Sequence, residues 1–237
     1  MLNLYVTSIE ESNEKQIIIT GLASIMQSLG YSVCVYKPVQ IDGYFDDGKL
    51  FSKEFDYITK TDEFIDIKCS YLFENSSNPL IASAKSGRLI DRKQIREDFL
   101  SLTDKYDCLI SGGIFGPGTP LNVDYLEFDM MKDLNLPALF LVSAGKNSMS
   151  NILSTLKKCE DAQIPIRGVI IHDYPDSTED ENIRLMPRLI EEYTGARVLG
   201  ILGTLDKNTP PQELIELILN SVDVEAVFDV EIEKLEK

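Results

Sequence analysis

A doubly wound α/β fold, a mainly parallel sheet with helices on both faces, is predicted by three features of the sequence. Short runs rich in Val, Ile and Leu alternate with longer amphipathic stretches. Those runs are apolar at successive positions, and turn residues mark the junctions between them. A strand that is apolar on both sides is buried on both faces, which is the condition of a parallel sheet covered by helices.

The strand runs are residues 2–6, 32–36, 108–111, 138–142, 169–172 and 198–202. Between them, helical periodicity falls on 15–29, 92–104, 125–134, 149–162, 179–193 and 212–220. Gly30 follows the first helix as a terminating glycine, Pro137 and Pro165 follow later ones, and Thr209-Pro210-Pro211 opens the last, where a missing N–H costs least. Residues 40–69 are polar, acidic and poorly periodic, and are expected to form a surface excursion with short helical pieces. The tail, 222–237, alternates acidic and apolar residues and reads equally as a helix or a strand.

The 237 residues, 43% hydrophobic, suffice for one core, so a single domain over 1–237 is expected, with 222–237 as a peripheral tail. A net charge of −16 with no cluster of Lys and Arg excludes nucleic acid as an expected partner. The first residues lack a basic stretch followed by a long apolar one, and no run reaches a membrane span, so the expected location is the cytoplasm. Cys34, Cys69, Cys108 and Cys159 are widely spaced, without a CxxC pair, and are expected to be buried thiols.

Ligands of open parallel sheets bind beyond the carboxyl ends of the strands. Val33-Cys34-Val35-Tyr36-Lys37-Pro38-Val39 lies there, one helix after the first strand. Downstream come Asn78-Pro79-Leu80-Ile81-Ala82, Gly87-Arg88-Leu89-Ile90-Asp91, Ser111-Gly112-Gly113, Thr119-Pro120-Leu121 and Leu136-Pro137-Ala138-Leu139. In this order, across about residues 1–203, these segments resemble the motifs of the dethiobiotin synthetases, a P-loop NTPase-like family. The resemblance implies ATP- and Mg²⁺-dependent carboxylation of a vicinal diamine, 7,8-diaminononanoate, to a cyclic urea, in a homodimer. It also implies a phosphate-binding loop, lysines from that loop and from the KPV motif near the reacting carbamate, and a metal site made from the loop hydroxyl and two acidic residues.

Carried over residue by residue, Lys15 takes the position of the loop lysine, for catalysis and phosphate binding, and Lys37 that of the KPV lysine. Asp56 matches the metal-binding aspartate, Gly112 and Gly113 the glycine loop, and His172 the asparagine that reads adenine. An imidazole imitates part of an amide, with one donor and one acceptor. The chain also departs from the pattern. Ser8 and Glu14 replace glycines of the loop, Gln16 replaces the metal-binding hydroxyl and Ser111 the metal-binding glutamate. Two charges near 4 Å interact by on the order of 4 kcal/mol at an effective dielectric of 20, so Glu10, Glu11 and Glu14 together oppose an anion at Lys15.

Three functions are open at this point: a working ATP-dependent carboxylase; a non-catalytic binding or regulatory homologue; and another amide-forming P-loop enzyme. For the second, a small carboxylate held by Lys37, the 112–118 loop and Lys146 is the expected ligand.

Overall fold

The structure is a computed structural model that describes residues 2–75 and 78–231. In chain order, β1 (Leu2–Ser8), α1 (Glu14–Ser28) and β2 (Val33–Gln40) are followed by a small hairpin, β3 (Gly43–Asp46) and β4 (Lys49–Ser52), then α2 (Lys53–Thr61) and β5 (Asp66–Leu72). The chain continues through α3 (Pro79–Ser86), α4 (Arg92–Thr103), β6 (Cys108–Gly112), a second hairpin of β7 (Pro120–Asn122) and β8 (Tyr125–Leu126), and α5 (Glu127–Leu134). The last part holds β9 (Ala138–Ser143), α6 (Met149–Asp161), β10 (Ile166–His172), α7 (Glu181–Thr194), β11 (Val198–Ile201), α8 (Pro211–Ser221) and α9 (Val224–Phe228).

Seven strands form one parallel sheet in the order β11-β10-β9-β1-β6-β2-β5. The expected doubly wound architecture is present. Successive residues of each central strand feed opposite faces: Val6, Val35, Ile110 and Leu141 pack under α1 and α8, while Tyr5, Tyr36, Leu109 and Phe140 pack under α4 to α7. This two-sided burial is the origin of the continuous apolar runs.

The excursion expected over 40–69 requires a correction. Its first part is the β3–β4 hairpin and α2, but its end is β5, an edge strand paired with β2 from Cys34↔Asp66 to Gln40↔Leu72. An edge strand meets the core on fewer sides, and the alternation of exposed and covered residues along β5 conceals it from a search for apolar runs. Also, β2 does not stop before Lys37. Its ladder with β6 ends at Tyr36↔Ser111, so Pro38 stands where only the β5 side is still paired. In the tail, Val222 bridges Gly200 and α9 is a short helix, while 232–237 lie outside the described residues. Cys34, Cys108 and Cys159 are buried thiols as expected, and Cys69 is half-buried; burial pushes all four up to about 12.

Candidate active-site crevice

The carboxyl ends of β1, β2 and β6 frame a crevice of about 250 Å³, lined by Lys15, Lys37, Glu54, Gly113 and Ile114 among others. Lys15 enters from the first turn of α1, which no side chain caps. Its side chain runs inward, only 4% of the residue is exposed, and Nζ donates to the backbone carbonyl of Ile114. Burial first, and Lys37 second, push its ammonium down to about 8, against the pull of Glu127 and Glu54. Near pH 8 this amine is therefore partly neutral, an uncommon state for lysine.

Lys37, 1% exposed, donates to Glu54 Oε1 at 2.8 Å and to the Gly113 carbonyl at 3.4 Å. Glu54 reaches it from the start of α2, whose N-cap is the Ser52 hydroxyl. Both lysines are thus fastened to the same glycine loop, and one is also neutralised by a carboxylate.

The loop is held from below by Glu127, the first residue of α5 and fully buried. Its carboxylate accepts from Thr7 Oγ1 at 2.8 Å, Tyr5 Oη at 3.2 Å and the backbone N–H groups of Ile114 at 3.0 Å and Gly116 at 3.3 Å. Gly113 makes room for it, since a Cβ there would lie 2.1 Å from Glu127 Oε1. Gly116 has φ of 135° and passes so close to the Ser8 and Ile9 carbonyls that a side chain would collide with backbone.

A family model described as an AAA domain (AAA_26) matches residues 2–212, most of the chain. The chain belongs to this AAA domain family. Among its curated relatives, the ATP-dependent dethiobiotin synthetase BioD of Bacillus subtilis (strain 168) is 24% identical over 233 residues, covering 97% of this chain and 98% of the relative. The Bacillus licheniformis protein of the same name is 25% identical over 241 residues, with 97% of each chain covered. Among solved structures, the septum site-determining protein MinD of Pyrococcus horikoshii, complexed with Mg-ADP, superposes with a TM-score of 0.57 at 13% identity, covering 96% of this chain and 93% of that one. A ParA family ATPase from Chlorobium tepidum gives a TM-score of 0.55 at 13% identity, with 96% of each covered. The resemblance to dethiobiotin synthetases and the P-loop architecture therefore hold for this AAA domain protein.

Within that family frame, the structure gathers Lys15, Lys37, Gly112 and Gly113 around one crevice; Gly112 backs Lys37, whose Nζ lies 3.0 Å from where a Cβ would stand. It does not gather Asp56, which turns away along α2 and accepts from Tyr44 Oη at 2.5 Å; Glu54, two residues earlier, lines the crevice instead, with Glu11 and Asp42. His172 lies at the end of β10 and lines a separate, smaller space. Reading the sequence missed Glu54 and Glu127, both of which resemble the ordinary first-turn acids of exposed helices.

At the positions that the resemblance assigns to the metal, the residues present do not fit Mg²⁺ with ATP. A hard cation needs several oxygen ligands, preferably charged. Here Gln16 offers an amide, the buried Ser111 hydroxyl has no partner, and Glu54 is already engaged by Lys37. A phosphate would also have to displace the Ile114 carbonyl from Lys15.

Proposed function

We propose that this chain is a cytoplasmic, homodimeric dethiobiotin synthetase-like protein in which Mg-ATP-dependent carboxylation is absent or altered, and whose crevice binds a small carboxylate metabolite. The observation carrying this reading is the Lys37–Glu54 pair at 2.8 Å beside a Lys15 tied to Ile114, because both family lysines have internal partners. A single carboxylate suits that arrangement. It competes with Glu54 for Lys37 and adds one negative charge beside two lysines, whereas a triphosphate adds several next to Glu11. The volume of about 250 Å³ also lies below the range common for larger ligands.

The test is calorimetric titration with Mg-ATP, with and without 7,8-diaminononanoate, followed by a panel of small carboxylic acids. Mg-ATP is expected to give no binding at micromolar concentration, and at least one carboxylate is expected to bind. Lys37→Ala should weaken that carboxylate by about 1–3 kcal/mol, the range for hydrogen bonds to charged groups. Micromolar Mg-ATP binding with turnover of the diamine would instead establish a working carboxylase.

A further inference from the structure

Beside the crevice, and sharing only Glu11 and Ser12 with it, is a narrow space of about 20 Å³ lined by Ser8, Ser143, Lys146, Asn147 and His172 among others. It is large enough for one water-sized body and no larger. His172 lines this space at 1% exposure; its Nδ1 stands 3.2 Å from Asp173 Oδ2, and its Nε2 has no hydrogen-bond partner among the described residues. Ser8 Oγ, also buried and lining the space, has none either. Buried polar atoms are ordinarily satisfied, so two such side chains lining one small cavity point to a bound species.

The surroundings say which species. Glu14 at the start of α1, with His172 and Asp173 at the end of β10, brings one ligating atom each to within 4.8 Å of one another. His172 Nδ1 and Asp173 Oδ2 are 3.2 Å apart. That separation is close to the edge of roughly 3.3 Å between two ligands held about 2.0 Å from a tetrahedral zinc ion. Glu14 and Asp173 are oriented by hydroxyls, Ser12 Oγ at 3.0 Å and Ser143 Oγ at 2.8 Å respectively, as metal-binding carboxylates commonly are. The cationic side chain paired with Glu14 is Lys146, largely exposed and 4.0 Å away.

We propose that Glu14, His172 and Asp173 form a binding site for a divalent transition metal ion, with Zn²⁺ the best match to one imidazole and two carboxylates. The small cavity beside His172 admits one water, which could complete the coordination of such an ion. The ion ties the start of α1 to the end of β10. Glu14, which occupies the place of a phosphate-loop glycine, thereby acquires a binding role that does not depend on how the crevice is used.

The full chain, freed of metal with a chelator, is titrated with Zn²⁺ by calorimetry and with Co²⁺ by visible absorption. One ion per chain is expected, with d–d bands for Co²⁺ and no thiolate charge-transfer band, which separates this site from the four cysteines. His172→Gln and Asp173→Asn should each weaken Zn²⁺ at least about tenfold, and Lys146→Ala should strengthen it by removing a competing cation. If circular dichroism finds His172→Gln misfolded, Glu14→Gln at the edge of the site provides the same reading. A thiolate band, no binding at tens of micromolar Zn²⁺, or unchanged affinity in the folded variants would overturn the assignment.

Discussion

Replacing Lys15 by Met probes the buried amine directly. In the folded chain its ammonium titrates at about 8, against an ordinary 10.5. Between those values the unfolded chain holds a proton that the folded chain has released, so stability rises with pH through this window. At pH 7 the full shift amounts to about 3 kcal/mol of destabilisation from this residue, since one pH unit corresponds to about 1.4 kcal/mol. Met keeps the length of the side chain and removes the charge, but leaves the Ile114 carbonyl without its donor, a loss of about 1 kcal/mol. The variant should therefore be more stable than the wild type at pH 7, by about 2 kcal/mol. That advantage should shrink by about 1.3 kcal/mol on going to pH 9, from the same linkage. Urea unfolding at pH 7, 8 and 9 measures both quantities. Stability curves that run parallel for the two proteins across this range would refute the argument, because they would mean that Lys15 titrates alike folded and unfolded.

Other outcomes follow from the same contacts. Glu54→Gln should cost about 3 kcal/mol in urea unfolding because it leaves Lys37 buried and charged, while the double change Lys37→Met with Glu54→Leu should recover most of the loss. Glu127→Gln presents an amide N–H₂ to a site that donates from Tyr5, Thr7, Ile114 and Gly116; it should destabilise by about 1–3 kcal/mol and increase hydrogen exchange at Ile114 and Gly116. Ser8→Gly, Glu14→Gly and Gln16→Thr combined should raise Mg-ATP affinity in calorimetry, by removing a carboxylate from the loop and restoring a metal-binding hydroxyl; no gain would mean that Lys15 and the glycine loop are closed to phosphate for other reasons.

The central strands were legible because their signal is local: a run such as Ala138 to Val142 is apolar whatever surrounds it, and only a two-sided core explains that. The order of motifs from the KPV segment to Leu136-Pro137 carried the family for the same reason, and the AAA domain match over 2–212 agrees with it. Within the site, the choice between Glu54 and Asp56 was not local. Residues two apart on a helix point about 200° away from each other, so one of the two faces the crevice and the other faces Tyr44, and the helix phase decides which. A serine two residues before Glu54, the N-cap of α2, was the available signal for that phase.

By itself, then, the sequence determined the parallel doubly wound sheet, the lysines at its carboxyl edge and the loss of the loop glycines, since periodicity and residue identity are properties of the chain alone. The tertiary structure decided which charges meet. Glu127 reads as a first-turn acid, yet more than a hundred residues separate it from Tyr5 and Thr7, which surround it in the core. Glu14 reads as an obstacle to phosphate, yet it turns toward Lys146, His172 and Asp173. Pairing and desolvation depend on distances across the sheet, and those distances exist only once β1, β6, β9 and β10 lie side by side.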